Sequence, residues 1–224
     1  MIHTVIFDVG GTLVRARSSL ISFSERLAPS DEKLRKEILE FMIKEFMVIY
    51  RDEKPIRFFG IKEIIAIILK KSAEKFDVED ISDKAQELYG EAYLNNANLF
   101  DDTIPTLEKL KEKNLRLIVA SDADPDVLDD ELSTFKIYQY FDEIIISGTV
   151  GAYKPSDKMT GAILEKCDEP YSDILFVGDT EVDILTAKKI GAKSVLIKRN
   201  GDFTIDADYY INNLNKIFEI IENN

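Results

Sequence analysis

The stretch Thr4-Val5-Ile6-Phe7-Asp8-Val9-Gly10-Gly11-Thr12 begins with four β-branched or aromatic residues and turns polar at an aspartate. Such a start favours a buried β-strand, and an aspartate followed by two glycines favours a tight loop behind it. Comparable runs recur at residues 115–120, 143–146, 174–177 and 194–197. The sequence therefore predicts five buried strands, the first of them at residues 4–7.

Helical patterns lie between the later strands. Apolar residues recur at helical spacing in 104–113, 125–135, 156–166 and 182–190, and a last helix is expected from Leu214. A strand followed by a helix, repeated, is typical of a parallel sheet with helices on both faces. Residues 18–96 interrupt this alternation, because their apolar spacing fits about four helices and no convincing strand. We expect an α/β protein with an inserted helical domain.

Composition and charge limit the kinds of partner. Of the 224 residues, 45% are hydrophobic and 32% are charged, which is the balance of a folded globular protein. The net charge of −13 opposes binding to DNA or RNA, so nucleic acid is not an expected partner. The single cysteine, Cys167, allows no intrachain disulfide, and the sequence has neither signal-peptide features nor an apolar run that would span a bilayer. A cytoplasmic protein without a membrane partner is expected.

Polar residues follow four of the predicted strands directly or closely. They are Asp8 after the first strand, Ser121 with Asp122 after the second, Lys154 after the third and Asp179 after the fourth. In an open parallel sheet the ligand site lies at the carboxyl ends of the strands. Carboxylates, a hydroxyl and an ammonium at one edge are what a phosphoryl group and a divalent cation together require. The two glycines after Asp8 would also let main-chain N–H groups face an anion.

The segment Gly178-Asp179-Thr180-Glu181-Val182-Asp183 lies where the fourth predicted strand meets a helix. Asp179 and Asp183 are four residues apart and would share one helix face if the helix begins early. Such a pair suits Mg2+, which prefers oxygen ligands and keeps several bound waters. Lys154 precedes Pro155, which we expect in the first turn of the next helix. The Lys154 ammonium would then neutralise a phosphate or the nucleophile.

Each of these residues also has an ordinary structural interpretation. Asp8 could cap a turn, the acidic residues could complement a helix dipole, Lys154 could be solvated, and Ser121 could cap a helix. The convergence of four loops on one sheet edge favours a shared site instead. His3, the single histidine, precedes the first strand, and Cys167 has no basic neighbours that would favour a thiolate, so both are expected to be structural.

The motifs that carry a family resemblance stand in the order Asp8-Val9-Gly10-Gly11-Thr12, Ser121, Lys154-Pro155 and Gly178-Asp179 with Asp183. Together they resemble the four motifs of the haloacid dehalogenase-like superfamily. The resemblance covers residues 1–15 and 98–224 as a Rossmann-like hydrolase core. Residues 16–97 are similar to the helical cap domain that many members insert after the first motif, which would close over the substrate and exclude water.

The resemblance implies a magnesium-dependent phosphatase of small phosphorylated metabolites, in which Asp8 attacks phosphorus and an aspartyl phosphate is then hydrolysed. The catalytic residues it implies are Asp8 and Lys154. The residues it implies for substrate binding are Val9, Gly10, Gly11, Ser121, Asp122 and Lys154. The ligands it implies for Mg2+ are Asp8, the main-chain carbonyl of Gly10, Asp179 and Asp183.

One position departs from the family pattern. Phosphatases of the superfamily usually carry a second aspartate two residues after the nucleophile as general acid and base, and here that position is Gly10. Phosphonatases and 2-haloacid dehalogenases resemble this chain in lacking that acid. A dehalogenase needs no magnesium, whereas Asp179 and Asp183 are both present, and no counterpart of the phosphonatase cap lysine can be identified among Lys44, Lys54 and Lys62. A metal- and phosphate-binding protein without efficient turnover is a further alternative.

The sequence leaves the substrate and the oligomeric state open. Specificity in this architecture depends on cap side chains whose approach to the site does not follow from one sequence. Arg15, Arg17, Arg51 and Arg57 are candidates for that role. The expected partner is a small phosphorylated molecule.

Overall fold

A computed structural model describes residues 1–16, 18–51, 57–201 and 204–224. The chain divides into two compact units, Met1–Arg15 with Asn98–Asn224 and Ala16–Ala97. Arg17 and Lys54, which the sequence offered as candidate cap residues, lie outside the described residues. Within the described part of the chain, no helix is both long and apolar enough to cross a membrane.

The first unit is built on a six-stranded sheet, with a separate two-stranded sheet formed by β2 and β3. The strands are β1 (Thr4–Phe7), β2 (Val14–Ala16), β3 (Ala97–Leu99), β4 (Arg116–Ser121), β5 (Glu143–Ile146), β6 (Ile174–Gly178), β7 (Lys193–Ile197) and β8 (Tyr209–Ile211). The order in the large sheet is β5-β4-β1-β6-β7-β8, and every neighbouring pair is parallel. The predicted α/β fold is confirmed, and each of the five predicted strands is present within one residue of its expected bounds.

Helices follow most of these strands and also form the second unit. The helices are α1 (Ser19–Leu27), α2 (Glu32–Tyr50), α3 (Ile61–Phe76), α4 (Ala85–Leu94), α5 (Thr103–Glu112), α6 (Pro125–Thr134), α7 (Ser147–Val150), α8 (Asp157–Leu164), α9 (Glu181–Ile190) and α10 (Ile217–Glu222). The sequence did not predict β2, β3 or α7, which are only three or four residues long, and it did not assign β8 as a strand.

The core of the first unit lies on both faces of the sheet. Successive side chains of a strand point to opposite faces, and Ile6, Ile118 and Phe176 pack in one cluster with Met159 of α8 and Ala187 of α9. The alternate residues of β1 and β4 point to the other face and are equally buried. Burial on both faces explains why these strands are continuous apolar runs rather than alternating ones.

The second unit consists of α1 to α4 with a short 3-10 turn before α4. Its core is formed by Ile38 and Met42 of α2 and by Ile64, Ile65 and Ile68 of α3, all fully buried or nearly so. Asp31 caps α2, because its carboxylate accepts a hydrogen bond from the Leu34 N–H at 2.9 Å. The unit therefore has the four α-helices that its apolar spacing predicted.

Two local expectations about helix starts were wrong. Pro155 is not in the first helical turn, because Ser156 is the N-cap of α8 and accepts a hydrogen bond from Met159. Asp179 is not on a helix face either, because α9 begins at Glu181 with Thr180 as its N-cap. In both places the N-cap is a residue with a hydroxyl side chain, and the helix begins after it. Lys154 and Asp179 therefore lie in the loops that precede α8 and α9.

Candidate active site

Asp8 lies at the carboxyl end of β1, the strand between β4 and β6 near the middle of the sheet. Its main-chain N–H donates to the Val177 carbonyl of β6 at 2.9 Å, which extends the sheet pairing to the aspartate itself. The residue is buried, and its side chain is 12% exposed. The carboxylate is therefore fixed in a largely dry environment, where its interactions with charges are strong.

The Lys154 ammonium joins Asp8 to Asp183. The Nζ atom donates to Asp8 Oδ1 at 2.8 Å, to Asp183 Oδ1 at 2.6 Å and to the Ala120 carbonyl at 3.0 Å. An ammonium has three donors, so all three are used. The loop that carries Lys154 is held by Asp122, whose carboxylate accepts from the Lys154 main-chain N–H at 3.0 Å. This hydrogen bond helps to fix the main chain at Lys154.

Asp183 belongs to the N-terminal turn of α9 and also to this cluster. Its Oδ2 accepts from the Thr180 N–H at 3.0 Å and from the Thr180 hydroxyl at 2.6 Å, while its Oδ1 accepts from Lys154. The helix-terminal interpretation is confirmed, because this carboxylate takes part in the capping box of α9. The same carboxylate also pairs with the buried Lys154 ammonium. Gly178 is required beside it, since a Cβ at this position would overlap the Asp183 side chain.

Asp179 provides a carboxylate oxygen with a free lone pair. Its Oδ1 is buried and has no hydrogen-bond partner among the described residues. The carboxylate packs against Gly11, which has a φ of 84° and where a Cβ would overlap the Asp179 oxygens. Only glycine satisfies both conditions, so the loop after β1 and the loop after β6 fit together at this point.

The three carboxylates form a candidate metal site. One oxygen from each of Asp8, Asp179 and Asp183 lies within 4.8 Å of the other two. The Lys154 ammonium pairs with Asp8 and Asp183 but not with Asp179, whose Oδ1 has no donor among the described residues. These residues fit a hard divalent cation with oxygen ligands.

The electrostatics of the cluster agree with that fit. Burial raises the pKa of Asp8 well above its usual value, Lys154 opposes the rise, and Asp183 and Asp179 add to it. Burial and then the charge of Asp183 raise the pKa of Asp179 to about 6. Burial alone would lower the pKa of Lys154, but Asp183 and Asp8 outweigh it, and the pKa lies well above its usual value. A bound cation would favour the ionised forms of Asp8 and Asp179.

The glycine loop is only partly available to an anion. The Gly11 N–H donates to the Val14 carbonyl at 2.7 Å, and the N–H groups of Thr12 and Leu13 donate to the Val9 carbonyl. Among the described residues, the N–H groups of Val9 and Gly10 have no main-chain acceptor. The Gly11 N–H is therefore used within its own loop, whereas the N–H groups of Val9 and Gly10 are free to face a ligand. Ser121 ends β4 and is buried.

Sequence reasoning missed two residues that directly follow β7. Lys198 Nζ donates to the Asp179 main-chain carbonyl at 2.6 Å, and Arg199 donates to the Thr12 carbonyl at 2.7 Å. Both contact loops that carry the acidic residues. The signal was available, because β7 was predicted and the rule about the carboxyl ends of parallel strands applies to it as well.

Other residues named in the sequence analysis take part in contacts of their own. Arg57 pairs with Glu63 and lies over the ring of Phe59. Arg51 is the C-cap of α2. Burial and then the charge of Glu169 raise the pKa of Cys167 to about 11, so a thiolate is disfavoured, as the sequence predicted.

The fold and this cluster are those of a hydrolase family. The family model described as haloacid dehalogenase-like hydrolase matches residues 5–197, so the chain belongs to the haloacid dehalogenase-like hydrolases. Hydrolases of this family generally use a divalent metal ion, which the aspartate cluster could hold. The resemblance inferred from the four motifs is thereby confirmed.

Similar proteins include phosphatases and a dehalogenase. A phosphoglycolate phosphatase of Aquifex aeolicus is 28% identical over 91% of this chain and 92% of its own length. The pyrophosphatase PpaX of Bacillus mycoides is 22% identical over 88% of this chain and 83% of its own. The L-2-haloacid dehalogenase of Xanthobacter autotrophicus has the same fold, with a TM-score of 0.78, 16% identity and 99% of both chains covered.

Proposed function

We propose that this protein is a magnesium-dependent phosphatase of small phosphorylated metabolites that uses Asp8 as its nucleophile. The observation that carries the proposal is the buried Lys154 ammonium bonded to both Asp8 and Asp183, next to the unpartnered Asp179 oxygen. An isolated buried ammonium is costly, and here it has carboxylate partners that the reaction would alter. The names of the phosphatase relatives support the same class of substrate.

The reaction would proceed in two displacements at phosphorus. An Asp8 carboxylate oxygen attacks, the Oδ–P bond forms and the P–O bond to the leaving group breaks, so that the leaving group departs as its oxyanion and takes a proton from solvent water. Water then attacks the same phosphorus, the Oδ–P bond breaks, and inorganic phosphate leaves with the Asp8 carboxylate restored. Lys154 would hold a negative oxygen in both steps, because esterification removes the charge of Asp8 and frees one ammonium donor for the phosphoryl group.

The proposed Mg2+ ligands are Asp8, the Gly10 carbonyl, Asp179 and Asp183. When bound, the ion would supply positive charge to the transferring phosphoryl group. Both oxygens of Asp183 already have protein donors, so its main role would be to orient its neighbours. Val9, Gly10, Ser121 and Lys154 are proposed to contact the phosphoryl oxygens.

We assign residues 1–15 and 98–224 as the hydrolase core and residues 16–97 as the cap, and we place the protein in the cytoplasm. The helical composition of the second unit supports the assignment as a cap. Closure of such a unit over the substrate would exclude water from the acyl phosphate and select the leaving group.

Phosphatase activity can be tested with a generic aryl phosphate. We expect release of the aryl alcohol with Mg2+ present, loss of release with EDTA, and recovery when Mg2+ is added again. Asp179→Asn should raise the Mg2+ concentration needed for half-maximal rate by about tenfold or more, because loss of even an outer-shell partner typically costs that much in metal affinity and Asp179 is a proposed direct ligand. Asp208→Asn is the matched control, since Asp208 accepts from Ser194 at a distant edge of the sheet.

The same preparation separates the alternatives. A 2-haloacid dehalogenase, which the fold similarity and Gly10 would also fit, should release halide from a 2-haloacid with or without EDTA. A binding protein should bind Mg2+ and phosphate without release of the aryl alcohol. Halide release without release of the aryl alcohol, or binding of Mg2+ and phosphate without that release, would exclude the proposed phosphatase activity.

The Gly10 position predicts a preference for good leaving groups. A positioned acid is worth roughly 10^2- to 10^4-fold in rate, so without it the protein should hydrolyse aryl phosphates much faster than alkyl phosphates. Gly10→Asp should raise kcat/KM for an alkyl phosphate more than for an aryl phosphate. Gly10 is not among the described glycines with positive φ, which are Gly11, Gly151, Gly191 and Gly201, so its φ does not strain an aspartate at this position.

Both values of kcat/KM are measured in both proteins, so differences in expression and folding largely cancel. Equal native rates on alkyl and aryl phosphates would show that another residue supplies the proton. Asp122 and Glu181 are the acidic candidates in the core, and their Asn and Gln variants would then identify it.

A further inference from the structure

Arg199 and Asp102 form a largely buried ion pair next to the loop that carries Asp8. Arg199, which follows β7, donates from NH1 to Asp102 Oδ2 at 2.5 Å, and the two side chains are 15% and 5% exposed. Asp102 is the N-cap residue of α5 and also accepts from the Leu214 N–H at 2.8 Å. The pair therefore connects three separate segments of the first unit.

The second amino group of Arg199 contacts the Asp8 loop itself. NH2 donates to the Thr12 main-chain carbonyl at 2.7 Å, and the guanidinium lies over the Phe100 ring, 3.9 Å from its centroid. Such a planar, forked donor can hold a carboxylate and a carbonyl at once, which a lysine ammonium on a flexible chain does less well. Arg199 thus ties residue 12, four positions after Asp8, to the start of α5.

Further hydrogen bonds restrain the loop after Asp8 at Leu13, the residue next to Thr12. The Leu13 carbonyl accepts from the Thr103 hydroxyl at 2.7 Å and from the Phe100 N–H at 3.2 Å. On the inner side, the Val9 carbonyl accepts the N–H groups of Thr12, Leu13 and Val14 at 2.9 to 3.2 Å. These contacts restrain the Thr12 and Leu13 carbonyls, and among the described residues the Val9 and Gly10 N–H groups have no main-chain acceptor.

A purely stabilising role explains this arrangement poorly. Burying an ion pair costs desolvation energy that the attraction often only balances. Two buried atoms of the pair, Asp102 Oδ1 and Arg199 Nε, also have no hydrogen-bond partner among the described residues. The pair does orient the Arg199 guanidinium, which holds the Thr12 main-chain carbonyl of the nucleophile loop.

We propose that Arg199, held by Asp102, is a positioning residue for the nucleophile loop. It fixes the positions of Asp8 and of the Val9 and Gly10 N–H groups relative to Lys154 and to the loop that carries Asp179. The effect on rate rests on the proposed phosphatase function, whereas the effect on the loop does not. A displacement of about 1 Å at reacting groups can cost on the order of 10^2-fold in rate, so loss of the Arg199 contact should act mainly on kcat.

The test compares Arg199→Lys with Arg199→Met and uses Arg116→Lys as the control. Arg116 pairs with Glu143 at 3.9 Å at the start of β4, away from the Asp8 loop. Arg199→Lys keeps a positive charge beside Asp102 but has a single donor group. If Arg199 positions the loop, Arg199→Lys keeps its Tm within a few degrees of the native value and loses about 10- to 100-fold in kcat with little change in KM. Arg199→Met should lose both stability and rate.

Hydrogen exchange of the segment 8–14 gives a second readout that needs no turnover. In Arg199→Lys the N–H groups of Thr12, Leu13 and Val14 should exchange about tenfold faster or more, while the amides of β1, β4 and β6 keep native protection. The control should change neither rate nor exchange. If the native protein shows no phosphatase activity, the proposed function fails and the exchange experiment alone decides the inference. Unchanged exchange of this segment, or a native kcat in an active Arg199→Lys protein, would overturn it.

Discussion

Asp8→Asn lowers the rate of phosphate release by roughly 10^3-fold or more and leaves the protein folded. The amide has nearly the same shape as the carboxylate, but it cannot act as the nucleophile that forms the acyl phosphate. The measurement is single-turnover and steady-state release of phosphate with saturating Mg2+, together with thermal unfolding of both proteins.

Stability should not fall in Asp8→Asn. Burial raises the pKa of Asp8 well above its usual value, so the folded state binds more protons than the unfolded state and the ionised carboxylate destabilises the fold at neutral pH. This contribution becomes less unfavourable as the pH falls through the folded-state pKa. Asparagine carries no charge, so its Tm at pH 7 should equal or exceed that of the native protein, with a smaller difference at acidic pH.

Asp142→Asn serves as the matched control for this substitution. The Asp142 carboxylate accepts from the Leu117 N–H at 2.8 Å and pairs with Lys111, so it has a structural partner set outside the candidate site. We expect it to lose some stability and keep full activity. Native activity in Asp8→Asn with unchanged Mg2+ dependence would rule out Asp8 as the nucleophile.

Lys154→Met destabilises the protein by about 3–5 kcal/mol and lowers kcat by roughly 10^2-fold or more. The Lys154 side chain is 3% exposed, and its ammonium is the partner of Asp8 and of Asp183, whose side chain is 1% exposed. Removing it leaves carboxylates buried without their cation, and it also removes the positive charge that would hold the phosphoryl oxygens. Urea unfolding and steady-state kinetics measure the two effects separately.

Mg2+ and a second substitution distinguish the stability effect from the catalytic one. Added Mg2+ should restore part of the lost stability, because a cation replaces the missing ammonium in neutralising the cluster. Asp183→Asn in the Lys154→Met background should also restore stability, since it removes a buried charge that no longer has a partner, but it should not restore activity. Lys111→Met, which breaks an exposed pair with Asp142, should cost less than about 1 kcal/mol. A Lys154→Met protein with native kcat would contradict the proposed role of the lysine.

The sequence by itself determined the α/β fold and the residues at the strand ends. Buried parallel strands need apolar β-branched residues on both faces, and this pattern is local, so β1 and β4 to β7 could be predicted within one residue. The rule that ligand sites lie at the carboxyl ends of parallel strands then selected Asp8, Lys154 and Asp179 without any knowledge of contacts. Family membership followed from the order of the four motifs.

Only the tertiary structure decided how these residues are connected. Asp8, Lys154 and Asp183 are far apart in sequence, and their hydrogen bonds depend on the strand order β4-β1-β6, which no single segment encodes. The Gly11 N–H bonds within its own loop because of local dihedral angles, which sequence patterns resolve poorly. The start of α9 at Glu181 depends on its cap, which sequence patterns also resolve poorly. The contact of Arg199 with Thr12 depends on parallel packing of β7 beside β6, which brings a residue near the end of the chain to the loop near its beginning.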